Sequence, residues 1–234
     1  AAGINTAGSS QGTVARIFCR IIHCPIAGGR AARYRGRMTP RHLLKQVFGH
    51  DDFRGPQEAI INDVLAGRDV LTIMPTGAGK SICYQLPALI RPGTGIVISP
   101  LIALMEDQVR ALRAVGVRAA TLNSQSADAG QVWRDMADGQ LDLLYVSPER
   151  ALMDGFGALL NRTEIALIAI DEAHCVSQWG HDFRPEYRRL RPLCDALPGV
   201  PRIALTATAD RETLADIAVQ LGIAADRITL SGFD

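Results

Sequence analysis

Residues 74–81, Met74-Pro75-Thr76-Gly77-Ala78-Gly79-Lys80-Ser81, constrain this chain more than any other stretch. The apolar run Asp69-Val70-Leu71-Thr72-Ile73 before them reads as a buried strand, and Ile82–Ile90 after them reads as a helix. Strand, glycine-rich loop and helix in that order are the context of a phosphate-binding loop. Gly77 and Gly79 let the backbone turn so that successive N–H groups point at phosphate oxygens, and the following helix adds the positive end of its dipole. Lys80 would then reach the β- and γ-phosphates of ATP, and the Ser81 hydroxyl would complete a Mg²⁺ shell. Pro75, Thr76 and Ala78 complete the cradle. The strict pattern places a glycine where this chain has Met74.

The rest of the sequence supplies a fold for that loop. Apolar strand-like runs at 70–74, 95–99, 119–122, 141–147, 166–170, 202–206 and 227–230 alternate with helical stretches at 82–90, 101–115, 127–137, 188–197 and 211–221. Two further helices precede them, one capped by Thr39-Pro40 and one opened by Pro56. Several strands are continuously apolar, the mark of burial on both faces. The expected fold is therefore α/β, a mainly parallel sheet flanked by helices on both faces, with ligands at the carboxyl ends of its strands. Four of those ends carry unusual chemistry: Gly77–Ser81, Ser99-Pro100, Asp171-Glu172 and Thr206-Ala207-Thr208.

Composition narrows the function classes. No apolar run approaches the roughly 20 residues of a membrane-spanning helix. Five scattered cysteines, an odd number without a Cys-x-x-Cys pair, point to reduced thiols and a cytoplasmic setting. Cys19, His23 and Cys24 lie near one another without a second ligand pair at zinc spacing, and read as incidental. Residues 1–37 hold six arginines and no acid, whereas the remainder holds 19 Lys and Arg against 24 Asp and Glu. This prefix reads as a non-native or disordered basic segment, or as a transit peptide, with Met38 as a natural start. Beyond it there is no overall basic field, so any nucleic-acid binding must come from local groups.

Asp171-Glu172-Ala173-His174 closes the apolar strand 167–170. An acid at a buried strand end facing a phosphate loop is the arrangement that holds Mg²⁺ on a nucleoside triphosphate. Asp171 would take the metal with Ser81, Glu172 would act as general base on the attacking water, and His174 could relay to a nucleic-acid site. Together with the loop at 74–81 and Thr206-Ala207-Thr208, these residues resemble the superfamily-2 helicase motor. The stretch Cys175-Val176-Ser177-Gln178-Trp179-Gly180-His181-Asp182-Phe183-Arg184-Pro185 is similar to the aromatic-rich loop of the RecQ DNA helicase family. Phe48–Gln57 resembles that family's adenine-recognition motif, Ser99–Met105 with Asp107-Gln108-Val109 its strand-contacting motif, and Tyr145–Glu149 a further one. The similarity runs from about Leu43 to Asp234. The family usually has Tyr where this chain has His50, which offers less stacking area.

The resemblance implies a RecA-like P-loop NTPase domain over 38–234, the motor half of an ATP-dependent 3′–5′ DNA helicase of recombination and repair, associated with the bacterial nucleoid. His50, Arg54 and Gln57 would recognise adenine; Gln57 can donate and accept at once, as N6 and N7 require. Ser99, Pro100, Ser147, Gln178, Trp179, His181, Phe183 and Arg184 would meet single-stranded or forked DNA, with Trp179 and Phe183 as stacking platforms. Thr206 and Thr208 would couple the two sites. Arg188-Arg189-Leu190-Arg191 reads as a phosphate contact or a solvated helix face. Only 26 residues follow Thr208, so the second RecA-like domain and its arginine finger are expected outside this chain. A nucleotide-gated binding module without autonomous hydrolysis is the alternative, and an Asp-Glu-Ala-box RNA helicase would leave the Trp179–Pro185 loop unexplained.

Overall fold

A computed structural model describes residues 39–126, 128–180 and 182–230; the basic prefix lies outside them. Seven strands form one sheet: β1 (Val70–Ile73), β2 (Thr94–Ile98), β3 (Ala119–Leu122), β4 (Leu143–Val146), β5 (Ile165–Ile170), β6 (Arg202–Thr206) and β7 (Ile228–Leu230). Their order is β3-β4-β2-β5-β6-β1-β7, and every pairing is parallel. All seven expected strands form, to within two residues at each end.

Residues alternate between the two faces, as a pleated strand requires, except at Ile165, beside the register shift at Thr94/Gly95. Val97, Tyr145, Leu167, Ala169, Ile203 and Leu205 face one core. That core is covered by α1 (Pro40–Phe48), α2 (Gln57–Leu65), α3 (Ile82–Ile90) and α4 (Ile102–Ala114). Leu71, Ile96, Leu144, Ile168, Ile170 and Ala204 face the other. There the cover is α5 (Ala129–Ala137), α6 (Pro148–Ala151), α7 (Phe156–Leu160), α8 (Pro185–Arg188), α9 (Leu190–Asp195) and α10 (Arg211–Leu221). The central strand β5 is buried at all six positions. Burial of that kind contributes about 1.5–3 kcal/mol per large aliphatic side chain and demands that the strand end supply its own polar exits.

Local chemistry sets the helix ends. The Thr39 hydroxyl accepts from His42 N (3.3 Å), Pro40 opens α1, and Gly49 closes it in the left-handed region. Asp210 caps α10 through Thr213 N (2.8 Å), and Gly222 closes it. The helix expected over 188–197 is instead two, α8 and α9, broken at Arg189. Pro192 lacks the N–H that would bond the Arg188 carbonyl, and Pro185 starts a separate turn three residues earlier than expected. No disulfide joins the described cysteines Cys83, Cys175 and Cys194, all buried. No helix of the described residues is long and apolar enough to cross a membrane.

Gly93, which turns the chain from α3 into β2, has φ +99°, and a Cβ there would sit 2.2 Å from the Glu164 carbonyl oxygen. That oxygen is held by Thr94 N at 2.8 Å and cannot yield. Gly93→Ala is expected to destabilise by about 2–4 kcal/mol. Gly116→Ala, at φ +84° in open space, should cost only about 1 kcal/mol. Urea unfolding of the two variants measures the difference.

Candidate active site

The phosphate loop is tied down at its first residue. Met74 N donates to the Thr206 carbonyl (3.0 Å), and the Met74 side chain is buried beside Cys83 Sγ (3.7 Å). Met74 has a negative φ, so the glycine of the strict pattern is not required here. Gly77 and Gly79, at φ +82° and +78°, make the turn. Lys80 Nζ folds back to donate to the Met74 carbonyl (3.1 Å).

Gln57 is the loop's second anchor. Its Nε2 donates to the carbonyls of Ala78 (3.0 Å) and Gly79 (3.1 Å), and its Oε1 accepts from Arg54 N (2.9 Å). The side chain is buried, and a Cβ on Gly79 would sit 2.5 Å from Nε2. The donor and acceptor expected to read adenine are thus engaged by the chain itself. His50 and Arg54 are exposed in the turn between α1 and α2, apart from the residues that line the phosphate cavity.

That cavity, about 290 Å³, is lined by Thr76, Gly77, Gly79, Lys80, Ser81, Ser99, Asp171 and Glu172. Sheet order explains the convergence, because β6 alone separates β1 from β5. Tyr187 from α8 donates to the Asp171 carbonyl (3.0 Å) and fixes the strand end from below. Asp171 is buried to 7% exposure, and burial followed by the neighbouring Glu172 charge pushes its pKa from 3.8 up to about 6. Glu172 N on Asp171 Oδ1 (3.0 Å), Lys80 and the adjoining Ser99 hydroxyl pull the other way. No hydrogen bond of normal geometry joins Ser99 Oγ to the carboxylate, and that hydroxyl is buried without a partner.

Glu172 stands in the left-handed region (φ 50°, ψ 46°), the one non-glycine among the described residues with positive φ. Such a position costs about 1 kcal/mol or more and turns the side chain out of the strand line. Its Oε2 lies 3.4 Å from His174 Nδ1. That nitrogen is also 3.0 Å from Thr206 Oγ1, which itself donates to the Thr208 carbonyl (3.0 Å). With the hydroxyl proton directed there, Thr206 Oγ1 is free to accept from an Nδ1–H of His174. A chain of contacts therefore runs from Glu172 through His174 to Thr206 and Thr208.

On the far side of His174 lies a second cavity of about 770 Å³, lined by His174, Trp179, Gly180, Thr208, Arg211 and Leu214. Trp179 is 73% exposed, a large aromatic that the fold leaves to solvent. Gln178 is exposed beside it, Phe183 is half-buried under the Arg188 guanidinium (5.3 Å), and Arg184 pairs with Asp182 (3.0 Å). His181 lies outside the described residues. Ser99 and Ser147 stand at the carboxyl ends of β2 and β4. The Ser99 side chain faces the phosphate cavity, and the buried Ser147 hydroxyl caps α6 through Arg150 N (3.4 Å), which leaves their backbone groups for the expected contact to a nucleic-acid strand. Pro100, beside Ser99, is half-buried. Arg188, read as a phosphate contact or solvated residue, is held by Asp216 and the Val176 carbonyl.

The cavity floor was not legible as a site. Gln85 Nε2 donates to Gln108 Oε1 and Tyr145 Oη (2.8 Å each), and Tyr84 packs edge-on against Tyr145. Tyr84, Gln108 and Tyr145 line the cavity. The available signal was Gln85 itself, one amide in the otherwise apolar centre of α3.

The sequence profile of the DEAD/DEAH box helicase family matches residues 54–217. The protein named ATP-dependent DNA helicase RecQ of Haemophilus influenzae is 51% identical over 187 residues, which is 79% of this chain and 30% of that protein. Its Bacillus subtilis namesake is 47% identical, over 82% of this chain and 33% of its own length. The chain thus spans about a third of the curated relatives it matches. Among solved structures, the Pyrococcus furiosus Hef helicase domain superposes with a TM-score of 0.59 at 18% identity, over 83% of this chain and 39% of that one. The DUF1998 helicase MrfA bound to DNA and AMPPNP gives 0.62 at 19%, over 83% and 29%. These two likenesses establish a shared fold.

The raised Asp171 pKa has a signed consequence for stability. An acid whose folded pKa exceeds its unfolded value destabilises the fold when ionised, fully above about pH 6. The penalty disappears as pH falls through the unfolded value near 4. Asp171→Asn keeps the acceptor for Glu172 N and is expected to stabilise the nucleotide-free protein by roughly 1–3 kcal/mol at pH 7.5, with the gain shrinking between pH 6 and 4. Thermal unfolding across that range checks it.

Proposed function

The chain belongs to the DEAD/DEAH box helicase family, and from that premise we propose that it is the ATP-hydrolysing motor half of a RecQ-type DNA helicase. The observation that carries this is the convergence of Lys80, Ser81, Asp171 and Glu172 on one cavity, with Glu172 linked through His174 to Thr206 and the Trp179 face.

The residues fit ATP with Mg²⁺. Gly77 and Gly79 keep the loop free of side chains, Ser99 offers a buried hydroxyl without a partner, and Asp171 is a carboxylate that a cation would relieve. Mg²⁺, when bound, neutralises charge on the β- and γ-phosphates. Ser81 and Asp171 would hold it. Lys80, which donates to a neutral carbonyl of its own loop, would exchange that bond for a charge-assisted one to phosphate. Pro75, Thr76 and Ala78 hold the loop's shape around it. Glu172 would orient the attacking water and accept its proton, with the His174 ring 3.4 Å from the carboxylate. Gln57 would read adenine only by giving up bonds to the loop, so adenine recognition by Gln57, with His50 and Arg54, would free the loop as the base is bound.

Trp179, Gln178, Phe183, His181 and Arg184 would form the face for single-stranded or forked DNA, with Pro100 at its margin, and Thr206 and Thr208 would couple it to hydrolysis. Translocation in the 3′–5′ sense, a place in recombination or repair, and association with the bacterial nucleoid follow from the resemblance to RecQ-type proteins. No arginine lines the phosphate cavity among the described residues. An arginine supplied by a second RecA-like domain would contribute about 10³–10⁵ in rate, so residues 38–234 alone should hydrolyse ATP slowly and not unwind duplex. The alternative, a binding module that never hydrolyses, has no use for Glu172 held in a strained backbone beside His174.

Three variants test the assignment. Lys80→Ala should lose Mg²⁺-ATP affinity at least about tenfold, while Glu172→Gln should bind normally and lose at least about 100-fold in single-turnover hydrolysis. Trp179→Ala should weaken oligo-dT binding about 5–100-fold with nucleotide affinity unchanged. Hydrolysis in Glu172→Gln equal to that of the wild type would refute the role given to this site.

A further inference from the structure

The exposed Trp179 must be held by something other than burial, and the bonds around it lead to one residue. Ser177, fully buried, donates its hydroxyl proton to Asp216 Oδ2 (2.7 Å), and the same oxygen of Ser177 accepts from Trp179 N (3.2 Å). The far end of the loop returns to the same carboxylate. Arg188 Nη2 lies 3.5 Å from Asp216 Oδ2, its Nε donates to the Val176 carbonyl (3.2 Å), and its guanidinium covers Phe183. Gln220, one turn further along α10, donates to Asp216 Oδ1 (3.1 Å). Burial pushes the Asp216 carboxyl up, but the hydrogen bonds from Ser177 and Gln220 and the Arg188 charge outweigh it and hold the pKa below the usual carboxylate range.

Asp216 thus binds the root of the loop before Trp179 and the cation that covers Phe183 after it. It does so from α10, the helix capped by Asp210, two residues after Thr208. Leu214, Ile217 and Leu221 seat that helix in the core. We propose that Asp216 is a positioning residue that suspends the aromatic loop on α10, so that the presentation of Trp179 and Phe183 to single-stranded nucleic acid is set by the helix that follows the coupling threonines. The inference rests on the reading of this loop as a nucleic-acid face. It assigns Asp216 no contact with nucleotide or nucleic acid.

The test uses the 234-residue chain and its Asp216→Ala, Asp216→Asn and Ser177→Ala variants, read by hydrogen exchange without ligand and by oligo-dT anisotropy. Asp216→Ala should speed exchange of the amides at 177–180 by about tenfold or more while those of α10 stay protected. Its oligo-dT Kd should rise about 5–20-fold. Ser177→Ala should reproduce the loop effect, and it carries the decision should Asp216→Ala fail to fold. Asp216→Asn, which keeps an acceptor for Ser177 but not the charge for Arg188, should fall between. Unchanged loop exchange, equal loosening of α10, or a loosened loop with wild-type affinity would each overturn the inference. A wild-type chain that does not bind oligo-dT would instead overturn the reading of the loop as a nucleic-acid face, with the exchange data still deciding how the loop is held.

Discussion

Strand β6 lies between the strand that ends in the phosphate loop and the strand that ends in Asp171-Glu172, and the rest of the site depends on that placement. Parallel pairing puts all three carboxyl ends at one rim. The Thr206 carbonyl accepts Met74 N and so ties down the loop, while the Thr206 hydroxyl meets His174 Nδ1. One residue of the middle strand therefore touches the start of the nucleotide cradle with its backbone and the acidic motif with its side chain. Any shift of β6 against β1 or β5 would be felt at both.

The rim is also where stability is given up. Asp171 is a carboxylate buried next to another acid, Glu172 sits in a backbone region that side chains disfavour, and Ser99 has a buried hydroxyl without a partner. Each disfavours the fold by roughly 1–3 kcal/mol, and a polyanion carrying a divalent cation would relieve at least the first and third. Strain and unsatisfied polar groups cluster at functional sites for this reason, because the compensating partner is the ligand. The two cores built on strands β1–β6 supply the stability that tolerates it.

Much of this was legible in the sequence. The strands could be read because continuous apolar runs such as 165–170 have no other stable home than a sheet covered on both sides. The phosphate loop could be read because Gly77, Gly79 and Lys80 follow one such run directly. What could not be read depended on pairings distant in the chain. Nothing local in Gln57 says that its amide is spent on Ala78 and Gly79, nor in Ser147 that its hydroxyl is a helix cap. Arg188 looked like a free cation because Asp216, 28 residues away, carries no motif. The helix over 188–197 failed for a local reason that was in view: Pro192 cannot satisfy the Arg188 carbonyl.

On the proposed function, nucleotide and nucleic acid are read by one connected set of residues, from Glu172 through His174 and Thr206 to the Trp179 face. Two sites joined in that way must influence each other's affinity equally in both directions. The direct measurement is the oligo-dT dissociation constant of the hydrolysis-deficient Glu172→Gln chain, with and without saturating Mg²⁺-ATP, followed through Trp179 fluorescence in a Trp133→Phe background. The account predicts a change of about fivefold or more, in either direction, that disappears in His174→Ala. Equal dissociation constants in the presence and absence of nucleotide would contradict it.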